Sequence, residues 1–168
     1  MIHIERKAQN AVKNVLSFVY FSGNICNMYK IDHLLNANEE VGAIMKDFYV
    51  DLHIHIGRTA SGKPVKITGS KTLTLHTILQ CASSQKGLDM IGVIDCHSPE
   101  VLAEIEGLLK RGEMIELAEG GLRFQETTLL LGSEIEVYDS YCHGPIHVLA
   151  YFPTVEKMKA FSDWMSNH

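Results

Sequence analysis

Hydrophobic and polar positions change rhythm along this chain, and the changes mark out its elements. Residues 1–46 have irregular apolar spacing, no clear caps and six asparagines (Asn10, Asn14, Asn24, Asn27, Asn36 and Asn38), which reads as a poorly specified helical extension. A regular pattern begins at Asp47, so 47–168 is expected to be the folded domain. Phe48 to Ile56 alternates, with Val50, Leu52, Ile54 and Ile56 on one side and Tyr49, Asp51, His53 and His55 on the other. That is a strand signature. Met90 to Ile94 is a short apolar run suited to a buried parallel strand. Thr128 to Val137 and Ile146 to Phe152 predict two further strands, and Met114 to Phe124, with Gly120-Gly121 inside it, predicts a hairpin.

Between these lie segments of helical period. Thr74 is placed to cap a helix whose Leu75, Ile78, Leu79 and Ala82 share a face and whose stop is Gly87. Ser98-Pro99-Glu100 combines an N-cap hydroxyl, a proline at the first helical position and an acid at the positive helix end. The helix that follows carries Val101, Leu102, Ile105, Leu108 and Leu109 and ends at Gly112. Thr154 caps a last amphipathic helix with Met158, Phe161 and Met165 inward. Strands alternating with helices, plus antiparallel decoration, make an α/β architecture.

The composition fits that picture. With 168 residues, 46% of them hydrophobic, the chain is expected to be one soluble domain that buries a core without disulfides. It is short for a complete eightfold barrel, which takes about 250 residues. The apolar runs fall far below the roughly 20 residues of a membrane span, and Glu5 breaks the pattern of a secretory signal, so no membrane is expected. Cys26, Cys81, Cys96 and Cys142 are widely spaced, which excludes a zinc ribbon or a disulfide framework and suits a reducing, cytoplasmic setting.

A net charge of −5 argues at face value against a nucleic-acid binder. The average hides an asymmetry. From Leu52 to Leu88 there is no acid, and Arg58, Lys63, Lys66, Lys71 and Lys86 give +5; Pro99 to Asp139 carries −7.

Chemistry-bearing residues recur at the strand positions. In Asp51-Leu52-His53-Ile54-His55 the strand period puts both imidazoles and Asp51 on one face, with Leu52 and Ile54 in the opposite layer. Two imidazoles side by side suit a metal ion, and a neighbouring carboxylate suits the orienting of a ring; an exposed polar strand face would look the same. Asp95 and His97 stand at the end of the next strand, where sites assemble in α/β sheets, or help to cap the next helix. Glu134 and Glu136 share a face of a later strand, and His147 interrupts an apolar one. Mixed imidazole and carboxylate donors on four strands suit divalent zinc or manganese better than calcium.

These stretches resemble a known family. Asp51 to His55, Ile94-Asp95-Cys96-His97, Gly132-Ser133-Glu134 and Pro145-Ile146-His147-Val148-Leu149 look like successive motifs of the polymerase and histidinol phosphatase (PHP) phosphoesterase superfamily. Within it, Gly57-Arg58-Thr59, Lys63-Pro64-Val65-Lys66-Ile67-Thr68-Gly69 and Ser133 to Tyr138 resemble the N-terminal part of the endonuclease Q group. The resemblance implies a distorted (β/α)7 barrel of TIM-like type with a multinuclear metal centre, of which this chain would be a part truncated at its C-terminus. It implies metal ligation by His53, His55, Asp95, His97, Glu134 and His147. The superfamily has His directly after the Asp, so either Cys96 or His97 is the residue beside Asp95 that faces the metal. It also implies metal-bound water as nucleophile, Arg58 and Lys63 as contacts to substrate phosphate, and cleavage of DNA at deaminated bases or abasic sites. A PHP-type phosphatase of a small phosphomonoester and an inactive truncated metal-binding fragment are the competing expectations.

Overall fold

A computed structural model describes residues 16–17, 48–138 and 144–167. Along the chain the elements are β1 (Leu16–Ser17), β2 (Val50–Ile54), α1 (Leu75–Gln80), β3 (Met90–Val93), α2 (Pro99–Lys110), β4 (Ile115–Glu116), β5 (Leu122–Phe124), β6 (Thr127–Val137), β7 (Ile146–Phe152) and α3 (Val155–Ser166). Of the expected helical extension over 1–46, Leu16–Ser17 is strand; the rest lies outside the described residues.

The strands form one mixed sheet in the order β1-β7-β6-β3-β2. Its centre is parallel, β2 on β3 and β3 on β6, as the helical crossovers require. β7 then returns antiparallel along β6, and β1 pairs antiparallel with β7. The short strand β5 runs antiparallel to the start of β6, with β4 beyond it. The sheet is open among the described residues, with β1 and β2 at its margins, so the fold seen is a mixed α/β layer and not a closed barrel. Among the described residues no helix is long and apolar enough to cross a membrane.

Local chemistry explains the helices. Thr74 Oγ1 accepts the Thr77 N–H at 3.2 Å to start α1, which continues as a π-helical turn over Cys81–Lys86 and stops at Gly87, φ +61°. In α2, Pro99 opens the helix and Val101, Leu102, Ile105 and Leu108 are buried. The Ser98 hydroxyl departs from expectation: it donates to Glu100 Oε2 at 3.0 Å instead of capping a backbone N–H. In α3, Val155, Met158 and Ser162 are buried and Phe161 lies against Phe152 with ring centroids 4.7 Å apart, while Met165 is only partly buried. A two-residue turn, Gln125-Glu126, joins β5 to β6 with Gln125 at φ +50°. It lacks the Asn-Gly chemistry that announces such turns, which is why the pattern did not predict it.

The core has two parts. Ile91, Val93, Leu129 and Leu131 pack with Leu75, Leu79, Val101, Ile105 and Met158; Ile94, Leu149 and Tyr151 form a smaller cluster with Leu52 and Leu130. Tyr151 needs two glycines. A Cβ on Gly92 would lie 2.7 Å from Tyr151 Cε1, and one on Gly132 3.0 Å from it, so the ring crosses the sheet over two bare backbones and its hydroxyl donates to Leu52 O.

Strand β2 corrects one expectation. Its register against β3 shifts between Asp51 and Ile54, so Ile54 joins the main core while Leu52 joins the smaller cluster. An extra residue in one strand breaks the alternation, and the two apolar positions no longer share a face.

Candidate metal centre

The site is built where β2, β3 and β6 lie side by side. The Ile94 N–H donates to Ile54 O, the Cys96 N–H to Gly132 O and the Glu134 N–H to Ile94 O, so the chain leaving β3 stays wedged between its neighbours. This threading brings His55 and Asp95, just beyond the ends of β2 and β3, together with Glu134 of β6. Glu134 is the centre of convergence. His53 Nε2 lies 3.7 Å from its Oε1 and His55 Nε2 lies 3.3 Å from its Oε2. From β7, His147 Nδ1 donates to Oε1 at 2.5 Å. Lys66 Nζ, on the loop after β2, lies 3.7 Å from Oε2.

Ligand atoms of His53, His55 and Glu134 all fall within 4.8 Å of one another. Two imidazole nitrogens and a carboxylate oxygen at that spacing could hold a metal ion. His55 is also prepared for the task. Its Nδ1 faces Asp95 Oδ2 at 3.1 Å, and that same oxygen accepts the Ile56 N–H at 2.7 Å, so Asp95 is fixed and Nε2 is the nitrogen left toward Glu134. Carboxylates behind histidines set the tautomer of metal-binding rings in this way. The sequence suggested Asp51 as an orienting carboxylate. Instead, Asp51 Oδ1 accepts the backbone N–H of His53 at 3.3 Å.

The electrostatics favour the ligating forms. Burial lowers the pKa of His53, and the His55 charge adds to that, against the opposing pull of Glu134 and Asp51; the ring is neutral at neutral pH. Burial pushes Glu134 up, but the His147 hydrogen bond and the charges of His55, His147 and His53 outweigh it, holding the carboxyl below its usual range.

The other expected residues stand around this cluster. Cys96 is fully buried in the main core, and burial pushes its thiol up to about 12, away from the thiolate a metal needs. His97 turns its Nδ1 to Ser133 Oγ at 3.0 Å, and its backbone carbonyl accepts from Ser162 Oγ at 2.6 Å. The three-residue cluster includes neither. Arg58 donates to Gly62 O at 2.7 Å within its own loop, and Lys63 pairs with Glu100 at the start of α2. Among the described residues, Lys66 is the lysine that reaches Glu134. It lies in the Lys63 to Gly69 stretch that carries part of the family resemblance, but the phosphate role expected from that stretch falls on Lys63 and not on Lys66.

No family model matches the chain. Over 122 residues, 73% of its length, it is 59% identical to the uncharacterized protein YqxK of Bacillus subtilis (strain 168), and it spans 32% of that protein's length. It is also similar to a solved crystal structure of endonuclease Q in complex with a 27-mer duplex substrate that has an abasic lesion at the active site. That similarity has a TM-score of 0.48 and 25% identity and covers 70% of this chain and 25% of that one.

Proposed function

We propose that this chain supplies the metal-holding part of a phosphodiester hydrolase of endonuclease Q type, which cuts DNA beside deaminated bases or abasic sites. The observation that carries the reading is the meeting of His53, His55 and Glu134 within 4.8 Å, with Lys66 at their edge. The motif resemblance around these residues supports the finer assignment, including a place for the sheet within a distorted (β/α)7 barrel.

His53, His55 and Glu134 would hold a divalent ion, zinc or manganese, and His147, hydrogen-bonded to Glu134, is a further ligand in this reading. When bound, such an ion acidifies water and neutralises charge on phosphate oxygens. The chain's own residues do the rest. Asp95 keeps His55 Nε2 turned to the site, and Glu134 stays ionised to neutral pH and well below. Lys66, at the edge of the cluster, would meet a phosphate oxygen there, and the segment from Leu52 to Leu88 that carries it contributes no acid of its own. The wide cysteine spacing supports a reducing cytoplasmic setting.

The test is strand cleavage. Duplexes containing an abasic site, deoxyuridine or deoxyinosine are incubated with the zinc- or manganese-loaded chain and resolved on denaturing gels. The reading expects nicking at the lesion that His53→Ala suppresses by about 100-fold or more. Turnover of a phosphomonoester without nicking of any duplex would overturn the DNA assignment.

A further inference from the structure

Next to Lys66 stands Ile67, which is 91% exposed. Lone exposed apolar side chains are common on proteins, and exposure alone says nothing. What distinguishes Ile67 is the platform beneath it. The Gly69 N–H donates to Lys66 O at 2.9 Å, closing a four-residue turn with Ile67 and Thr68 at its tip. The root of the turn is fastened twice more, by Val65 N–H to Gly57 O at 3.0 Å and Lys66 N–H to Ile56 O at 2.9 Å. Val65 packs against the main core. Two glycines permit the closure: a Cβ on Gly57 would lie 1.9 Å from Ser70 O, and one on Gly69 2.8 Å from Gly57 Cα. Backbone lies on backbone here, so the turn is rigid and holds a β-branched side chain of restricted rotamer in open water. Three successive residues thus face three ways, Val65 to the core, Lys66 to Glu134 and Ile67 outward.

We propose that the Lys66–Gly69 turn is a DNA wedge, with Lys66 on the phosphate at the site and Ile67 entering the base stack of the adjoining step. Apolar side chains on rigid supports open base steps in this way, and a step beside a missing or mismatched base yields at least cost. Lys71, just beyond the turn in the acid-free segment, adds positive charge that draws the polyanion toward it. The proposal rests on the DNA reading above and deepens it. A site that accepts a small phosphomonoester has no use for an apolar tip at its rim.

The test uses the 168-residue chain and a duplex with 2-aminopurine beside an abasic site. Fluorescence rises when 2-aminopurine is unstacked, so binding of the wild-type chain is expected to raise it severalfold. Ile67→Ser is expected to abolish the rise and weaken binding about tenfold, while Ile67→Leu restores both. Ile67 is outside the core, and thermal melting should confirm that both variants fold. Absence of binding, binding without a rise, or a Ser variant equal to wild type in both readouts overturns the proposal. The readout needs no cleavage. A rise without nicking under any metal would overturn the hydrolase reading alone, and metal-dependent nicking without a rise would overturn the wedge alone.

Discussion

Asp95 holds His55 from behind: its Oδ2 lies 3.1 Å from the ring Nδ1 while accepting the Ile56 backbone N–H at 2.7 Å. The carboxylate is anchored by backbone, so the ring it faces has one orientation. Asp95→Asn keeps the shape but removes the charge that favours the Nδ1–H tautomer. Zinc affinity measured by chelator competition is expected to fall about 10- to 100-fold, the usual cost of losing such a partner. An unchanged affinity would mean that the ring is oriented by something else.

Lys66 and a bound cation would compete for one carboxylate, Glu134. Lys66→Met is therefore expected to tighten zinc binding about 3- to 10-fold, the size of a partly exposed ion pair. The same change should weaken DNA binding and reduce the slope of log affinity against log salt by about one. Parallel loss of both affinities would show that Lys66 supports the site structurally.

Acid should destabilise the fold in two stages. Burial lowers the pKa of His97, against a smaller opposing pull from Asp95, so the unfolded chain takes up that proton first as pH falls through about 6.5. Stability then declines until the folded ring also titrates. Glu134, held below its usual range, contributes fully above about pH 4.3 and loses that contribution as pH falls through its lower folded value. Urea midpoints of the metal-free chain, followed downward from about pH 8, check both stages. His53, whose pKa burial also lowers, titrates in the same stage, so His97→Gln should shrink the upper stage and Glu134→Gln flatten the lower one; an upper stage undiminished in His97→Gln would assign it to His53 alone.

The crossing of Tyr151 over the sheet is a packing prediction. Gly92→Ala places a methyl 2.6 Å from Leu52 O and 2.7 Å from the Tyr151 ring, and should cost about 1–3 kcal/mol by overpacking. Tyr151→Phe removes only the hydroxyl that donates to Leu52 O and should cost about 1 kcal/mol. Denaturant unfolding measures both, and a Gly92→Ala variant as stable as wild type would contradict the steric argument.

Much of this arrangement was legible from residue periods. The Thr74 cap, the α2 face and the strands that carry His53, Glu134 and His147 follow from local pattern, because caps and apolar spacing act within a few residues. The distribution of tasks among the polar residues was not legible. Asp51 and Asp95 are equivalent as letters; only the β2 bulge and the pairing of β3 with β6 decide that Asp95 meets His55 while Asp51 turns to backbone. Likewise, Arg58, Lys63 and Lys66 are interchangeable charges in a basic run. The Gly57–Gly69 contact and the acids of α2 determine that Lys63 goes to Glu100 and Lys66 to Glu134. Such relations join residues far apart in sequence, and periodicity does not report them.

The central claim is that His53, His55 and Glu134 hold one divalent ion in common. X-ray absorption of the zinc-loaded chain tests it most directly, because scattering from imidazole nitrogens distinguishes this site from adventitious surface binding. Zinc is expected to be retained through dialysis with mixed nitrogen and oxygen ligation, and to be lost in both His55→Ala and Glu134→Gln. Zinc held equally well by these variants, or a shell without imidazole, would contradict it.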